Sequence, residues 1–130
     1  PATNAWEEVA PMMEARVQLA AAALDGKLYV VGGVTEIEAL SSVERYDTAQ
    51  DAWELVAPMA TMRDMVGVAV LDGKLYAVGG YGPNDNDLFA SLSSVERYDA
   101  ATNAWEAVAP MGTARMAHAV AVLDGKLYAV

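Results

Sequence analysis

Three times along this chain, two short runs of mainly apolar residues are separated by a pair of turn residues. In the stretch Gly67–Gly80, Asp72-Gly73 stands between two runs rich in valine, leucine and tyrosine. Asp-Gly between such runs is typical of a two-residue hairpin turn, because both central residues must tolerate positive φ. Most of the same hairpin recurs over residues 21–33 and again over 120–130. The pattern therefore predicts a repeat protein built from antiparallel strands.

Two further strand-like segments belong to each repeat. Asn4–Met12 alternates apolar and polar residues and stops at a proline, which predicts a half-exposed outer strand, and it recurs over 51–59 and 103–111. Leu40–Asp47 recurs letter for letter as Leu92–Asp99 and is predicted to be the third strand of the unit. The unit thus has four strands and a period of roughly 50 residues, as expected for one kind of propeller blade.

A glycine pair, a tyrosine and a tryptophan mark the units in a constant order. The glycines end the apolar strand, and the tryptophan stands seven residues after the tyrosine, as in Tyr46 to Trp53 and Tyr98 to Trp105. Pro-Met and a following arginine recur in the same register. Together these residues resemble the kelch repeat over the whole chain. The resemblance implies an all-β fold, a kelch-type β-propeller with four-stranded antiparallel blades around a central channel, usually about six of them.

On this interpretation, residues 1–130 form a single propeller segment of about three blades. Its repeat units are approximately 1–47, 48–99 and an incomplete 100–130. Residues 12–24, with four consecutive alanines, have strong intrinsic helix propensity, but their register with the other copies predicts a strand. Alanine fills less volume than the valines of the other copies and has poorer β propensity. The first inner strand is therefore predicted to belong to the least stable blade.

Composition and charge narrow the possible functions. The net charge of -10 disfavours nucleic acid and anionic membranes as partners, because both require clustered lysine and arginine. The chain has no cysteine and one histidine, whereas the copper oxidases among kelch propellers need cysteine and several histidines. No spacing singles out an acid and base pair among the loop carboxylates. The sequence therefore favours a protein that is not an enzyme and carries no cofactor or metal.

The differences between repeats are confined to particular segments. Leu-Asp-Gly-Lys-Leu-Tyr is identical in three copies, while the residues after each arginine and each glycine pair differ freely. Recent internal duplication and a consensus-designed scaffold with varied loops both explain this distribution. We favour design, because drift would scatter the differences along the whole unit.

Blade topology assigns the variable residues to one face. The Asp-Gly turn and the Tyr-Asp to Trp connection lie at one end of each blade, and the loop after the glycines lies at the other with the Pro-Met to Arg connection. Loops on a rigid scaffold are where binding residues concentrate. The candidate ligand-binding residues on this variable face are Arg16, Val17, Arg63, Asp64, Tyr81, Asp85, Phe89, Arg115, Met116 and His118.

These candidates differ in the alternatives open to them. The three arginines either contact carboxylates of a ligand, as the resemblance implies for the channel mouth, or brace the blade by bonding backbone carbonyls. Tyr81 and Phe89 are the best aromatic anchors, although Phe89 has the alternative of pinning its long loop to the blade. His118 alone makes no zinc site. Asp85 lies in a polar loop that lacks the glycine and distal glutamate of a calcium loop.

The sequence thus predicts a non-enzymatic propeller scaffold with a potential protein- or peptide-binding face. The alternative is a sugar-binding or sugar-processing kelch propeller. The loop 81–90 is predicted to be the most exposed and mobile part of the chain. A three-blade arc leaves strand edges and apolar blade faces open, so a second copy related by a twofold axis is the predicted partner. In that homodimer the Trp6 strand of one chain joins the blade begun by residues 119–130 of the other.

Overall fold

The computed structural model describes residues 4–130, and the regular structure within them is β throughout. Two four-stranded antiparallel sheets form the first and second blades. The strands of the first blade are Ala20–Leu24 (β1), Lys27–Val31 (β2), Val43–Asp47 (β3) and Ala52–Val56 (β4). Those of the second blade are Gly67–Leu71 (β5), Lys74–Val78 (β6), Val95–Asp99 (β9) and Ala104–Val108 (β10).

The rest of the chain adds two smaller sheets. Tyr81–Gly82 (β7) and Ala90–Ser91 (β8) pair at the base of the long loop between β6 and β9. Val120–Leu123 (β11) and Lys126–Ala129 (β12) form the third hairpin. In both complete blades the strands pair in chain order apart from the inserted β7–β8 ladder, so each blade is an up-and-down sheet. The all-β, antiparallel blade architecture expected from the sequence is confirmed.

The three Asp-Gly turns have the geometry that the sequence predicts. Asp25, Asp72 and Asp124 have φ of 51°, 52° and 51°, and the glycine after each has φ of 73°. Two successive residues in the left-handed region define the type I′ turn, whose twist matches that of the flanking strands. The register Leu71↔Lys74 places these turns directly at the strand ends. Ala20–Leu24 is a strand, so pairing with its neighbours overrides its helix propensity.

The segment Asn4–Met12 is not a strand, and the prediction of an outer strand there is wrong. Its counterparts β4 and β10 pair with β3 and β9, whereas no third strand lies beside it in the described part of the chain. Without a ladder partner its backbone has no reason to stay extended, because strand stability comes from pairing. The side chain of Trp6 is accordingly fully exposed, at 102%.

The hydrophobic core lies between the first two blades. Tyr29, Leu75 and Tyr98 belong to one buried cluster, in which the rings of Tyr29 and Tyr98 lie 5.7 Å apart. Trp105 stacks obliquely against Tyr98, with ring centroids 5.2 Å apart, and Trp53 lies at the same distance from Tyr46 in the first blade. Burial of aromatic rings on this scale is a major favourable term in folding. The tyrosine and tryptophan that mark the repeat thus hold neighbouring blades together.

Backbone hydrogen bonds also connect consecutive units at the second residue after each arginine. Gln18, Met65 and Ala117 occupy equivalent positions and have φ of 56°, 48° and 53°. The Met65 N–H donates to the Gln18 carbonyl at 2.9 Å, and the Ala117 N–H donates to the Met65 carbonyl at 2.9 Å. Left-handed backbone costs a non-glycine residue about 1 kcal/mol or more, so these bonds offset a local strain. Each unit donates to the one before it.

The glycine pair is required where neighbouring blades approach most closely. The Gly80 N–H donates to the Arg115 carbonyl at 2.9 Å, across the boundary between two units. A Cβ on Gly79 would lie 2.6 Å from the same carbonyl oxygen, and the φ of Gly79 is 62°. A side chain therefore has neither space nor a favourable backbone conformation here.

Candidate functional site

The variable face is the end of the blades that carries the loop 34–42, the loop 81–94 and the segments before β1, β5 and β11. The loop 34–42 joins β2 to β3, and the loop 81–94 joins β6 to β9. Because each sheet is up-and-down, these loops and segments emerge at the end opposite the Asp-Gly turns. The structure therefore brings the sequence-variable segments of the first two units to one side of the molecule.

Arg16 is buried beneath this face and braces the first blade. Its Nη1 donates to the carbonyls of Gly32 and Ser42 at 2.9 and 3.0 Å, and its Nη2 donates to Glu44 Oε2 at 2.8 Å. The side chains of Arg16 and Glu44 are both 0% exposed. Glu44 also accepts hydrogen bonds from the backbone N–H of Met13 and Glu14. The guanidinium joins two strands and the entry segment of the blade.

Arg63 has the same environment in the second blade. Its Nη1 donates to the carbonyls of Gly79 and Ser94, at 2.9 and 3.0 Å, and its Nη2 donates to Glu96 Oε2 at 2.6 Å. Its side chain is 0% exposed. Of the two roles considered for these arginines, the observed contacts are those of bracing. A ligand at the surface has no access to the guanidinium of either Arg16 or Arg63.

Arg115 is the exception among the three arginines. It is half-buried, and its Nη1 donates to the Ala129 carbonyl at 3.1 Å. The residues that correspond to Glu44 and Glu96 belong to a third strand, which the third hairpin lacks among the described residues. Its guanidinium is therefore less constrained than those of the other two units.

The residues after the arginines meet the residues after the glycine pairs. Val17 exchanges backbone hydrogen bonds with Val34 at 3.0 and 2.9 Å, and Asp64 exchanges them with Tyr81 at 3.0 and 2.8 Å. The Tyr81 ring stacks with Phe89, with centroids 6.1 Å apart and planes inclined by 15°. Phe89 is 64% exposed, so it contacts the loop through Tyr81 and still presents its ring to solvent. The sequence predictions for Asp64, Tyr81 and Phe89 thus converge on one place.

Asp85 lies in the exposed tip of the same loop. Asn84 Oδ1 accepts hydrogen bonds from the backbone N–H of Asn86 at 2.8 Å and Asp87 at 2.7 Å. This side-chain turn accounts for the polar sequence without any ion. Within residues 4–130, no group of three or more acidic or histidine side chains is arranged to hold a metal. The tip of this loop, residues 84–89, is exposed, but Gly82 is buried and residues 121–126 are exposed at every position, so the loop is not the most exposed part of the chain. Its predicted mobility stays a prediction.

Met116 and His118 point to different surroundings. Met116 is 41% exposed on the variable face. The His118 ring lies against the second blade, where its atoms are within contact distance of the Cβ positions of Gly67 and Gly79. Burial, and then the charge of Arg115, lower the pKa of His118 below its ordinary value. His118 therefore packs between two blades, because its position corresponds to Leu19 and Val66 of the other units.

A cleft on the variable face lies between the two loops. It has a volume of about 390 Å³ and is lined by Val34, Ile37, Glu38, Ala39, Met62, Asp64, Tyr81 and Phe89. Ile37 and Met62 were not among the candidates from the sequence, although Ile37 lies in a segment that varies between units. Ile37 is 92% exposed. The signal in the sequence that could have identified it is a large apolar residue between two glutamates, Glu36 and Glu38.

A second cleft, of about 300 Å³, lies between the second blade and the third hairpin. Tyr76, Val108, Met111 and Tyr128 are among the residues that line it. At the corresponding place between the first two blades, Tyr98 and Trp105 cover Tyr29. The space is therefore the gap that the outer strands of a third blade fill in a complete propeller.

The sheet topology and the braced arginines define the chain as part of a repeat protein of the propeller class. The model of the kelch motif matches residues 15–60 and 62–112. The chain therefore belongs to the kelch-repeat family.

Individual relatives agree with this assignment. The chain is 33% identical to Kelch-like protein 26 of Danio rerio over 130 residues, which is 100% of this chain and 21% of that protein. It is 49% identical to Kelch-like protein 33 of Homo sapiens over 47 residues, covering 36% of this chain and 9% of that protein. A solved structure titled "Structure of YjhT" superposes with a TM-score of 0.81 at 25% identity, over 93% of this chain and 35% of that one. The chain thus spans a minor part of the length of each.

Proposed function

We propose that this chain is a non-enzymatic propeller scaffold whose variable face binds a protein or peptide. The observation that carries the proposal is the exposed Phe89 ring stacked on the half-buried Tyr81 beside an apolar cleft, at the end of the blades that carries the longest variable loop. Exposed aromatic residues next to a cleft are typical of binding hot spots. The braced arginines beneath the face keep the loops on a rigid base, which lowers the entropic cost of binding.

A panel of peptides selected for binding to the chain tests this proposal. In one variant the long loop 81–91 is replaced by the sequence of the short loop 34–39. In the matched control, Asp25 on the opposite face is replaced by asparagine, which keeps the turn geometry. We expect the loop variant to lose at least tenfold in affinity and the control to stay within twofold. Binding that survives the loop exchange, or that fails in the control alone, contradicts the proposal.

Sugar binding is the second candidate function. It is supported by the proximity of the Asp64 carboxylate to the aromatic rings of Tyr81 and Phe89, since carboxylates and ring faces are common in sugar sites. Titration with simple sugars in the same assay separates the two functions. Saturable sugar binding that the loop exchange abolishes favours this candidate over the peptide.

We further propose that a second copy of the chain fills the cleft between the second blade and the third hairpin. Support comes from a hydrogen bond between a tryptophan of one unit and a backbone carbonyl of the preceding unit, which occurs twice within the chain. Trp53 Nε1 donates to the Ala10 carbonyl at 2.7 Å, and Trp105 Nε1 donates to the Ala57 carbonyl at 2.8 Å. Ala109 is the third member of this set and receives no such contact among the described residues. The fully exposed Trp6 of a second copy supplies the matching donor.

Light scattering with a Trp6→Ala variant tests this assembly. We expect twice the chain mass of 13.7 kDa for the parent protein and the mass of one chain for the variant. A parent protein that remains a monomer at all concentrations contradicts the dimer. A parent chain whose denatured mass exceeds 13.7 kDa means that further repeats of the same chain occupy the cleft instead.

We infer a designed origin from the way in which sequence differences are distributed between the repeat units. The variable positions lie in loops and strand entries, whereas the bracing network of Arg16 and Glu44 recurs unchanged as Arg63 and Glu96. The coding DNA provides the test. Codons chosen uniformly for one host support design, and near-identical DNA between units supports recent duplication.

A further inference from the structure

The cleft between the loops 34–42 and 81–94 combines an apolar wall with a carboxylate. Ile37 is 92% exposed, Phe89 64% and Met62 40%, so the wall is open to solvent at its rim. Asp64 also lines the cleft and is only 7% exposed. The volume of the cleft, about 390 Å³, is within the usual range of about 300–1,000 Å³ for ligand pockets. The site holds one or two side chains of a partner rather than a whole folded segment.

The carboxylate of Asp64 has no side-chain partner in the described part of the chain. None of the side-chain hydrogen bonds or ion pairs found in residues 4–130 involves its carboxylate. Burial raises the pKa of Asp64, and its own backbone N–H is the group that opposes this shift. The Asp64 oxygens are not among the buried side-chain atoms that lack a partner, and the residue lines the cleft, so the carboxylate is open to the cleft. A partly desolvated carboxylate without a counter-ion is unfavourable, so a cation that enters the cleft gains from pairing with it.

The charges around the cleft have the same sign. The loop 34–42 contains Glu36 and Glu38, the loop 81–94 contains Asp85 and Asp87, and neither loop contains lysine or arginine. Arg63 is adjacent in sequence, but its side chain is fully buried and paired with Glu96. The surface therefore attracts cations and repels an acidic peptide.

We propose that this cleft binds a lysine or arginine side chain of a partner peptide, with an apolar neighbour of that residue packed on Tyr81 and Phe89. The inference rests on the proposed binding function of the variable face and names the chemistry of its partner. The ammonium or guanidinium pairs with Asp64, and the faces of the two rings add a cation–π attraction. In the first unit the equivalent positions are Val17 and Val34, which offer neither group.

Fluorescence anisotropy with a labelled hexapeptide containing Leu-Arg-Leu tests the pairing. The comparison peptide carries citrulline, which keeps the shape of arginine and removes the charge. We expect saturable binding of the arginine peptide and at least tenfold weaker binding of the citrulline peptide, the loss expected for one charge-assisted hydrogen bond. Equal affinity for both peptides, or no binding of the arginine peptide, overturns the inference.

Two variants with the same change of charge distinguish a specific pairing with Asp64 from attraction to the overall negative charge of the surface. Asp64→Asn is expected to weaken the arginine peptide about tenfold, and Asp87→Asn, at the exposed loop tip, to weaken it less than twofold. Equal losses mean that only net charge matters, which also overturns the inference. Tyr81→Val, which copies Val34, provides a second probe if Asp64→Asn fails to fold, and should weaken binding about threefold.

The outcome also distinguishes this inference from the proposed function. If selected peptides without lysine or arginine bind, and the loop exchange abolishes their binding, the proposal of a binding face is supported and the inference of a cation site fails. If no peptide depends on the variable face, both fail.

Discussion

Replacement of Arg63 by leucine will destabilise the chain far more than the same replacement of Arg115. The Arg63 side chain is 0% exposed and donates to two backbone carbonyls and to Glu96. Its removal leaves the Gly79 carbonyl without this donor and Glu96 without its counter-ion. The Ser94 carbonyl keeps the Gly79 N–H at 3.0 Å.

The magnitude follows from these losses. Removing one partner of a buried ion pair costs about 3–5 kcal/mol, because the other charge stays buried. Among the described residues the Arg115 side chain donates one hydrogen bond, to the Ala129 carbonyl, and its loss costs about 1 kcal/mol. With a urea dependence of about 2 kcal/mol per M, the unfolding midpoint falls by roughly 2 M for Arg63→Leu and roughly 0.5 M for Arg115→Leu.

Urea unfolding followed by tryptophan fluorescence measures both midpoints. Trp53 and Trp105 are partly buried in the blades and report on their unfolding. The measurement is made in the Trp6→Ala background, so that no signal comes from the Trp6 that the proposed dimer covers. Arg63→Lys keeps the charge but cannot reach both carbonyls and the carboxylate, so its midpoint should lie between those of the parent and Arg63→Leu. Equal shifts for Arg63→Leu and Arg115→Leu would refute the bracing role of the buried network.

Three further predictions concern the blades. Gly67→Ala should destabilise the protein by about 1–3 kcal/mol, because the new Cβ would collide with a valine of the third hairpin. The control Gly112→Ala has nothing within 4 Å of the new Cβ and should change the unfolding free energy by less than about 0.5 kcal/mol. Equal changes of the two variants in urea unfolding would contradict this. The pKa of His118 is lowered from 6.5 in the folded chain, so its stabilising contribution is present above pH 6.5 and is lost as the pH falls through the folded pKa. His118→Val should flatten the pH dependence of the urea midpoint below pH 6.5, and an unchanged slope would count against it. In hydrogen exchange, amides of residues 20–24 should be less protected than those of 67–71, and equal protection would show that the alanine strand is not the weaker one.

The repeat pattern predicted the blades because each local signal agrees with the fold. Asp72-Gly73 specifies its turn by backbone conformation alone, and the tyrosine and tryptophan spacing places two rings across a strand pair. Asn4–Met12 was mispredicted for the opposite reason. Its alternating pattern suits a strand, but a strand also needs a neighbour, and pairing is a property of the assembled sheet rather than of the segment.

The positions of the candidate residues were predictable in part for similar reasons. Variation between units singled out Asp64 and Tyr81 as candidates, since residues free to differ are not needed by the scaffold, and the structure places both beside one cleft. The roles of the arginines could not be decided from sequence, because bracing and ligand contact both require a fixed cation. The identical Val-Glu-Arg-Tyr-Asp segments carried the missing information: Glu44 and Glu96 are the buried counter-ions. The depth at which Asp64 lies depends on how the two loops pack, which no local pattern encodes.

The bonds between units through Gln18, Met65 and Ala117 have a consequence for how such proteins change. These contacts run from backbone N–H to backbone carbonyl, so they do not depend on which side chain stands at each position. A glutamine, a methionine and an alanine are indeed accepted there. Loops can therefore be exchanged between units without loss of these bonds. Recognition can diversify while the joints between modules stay the same.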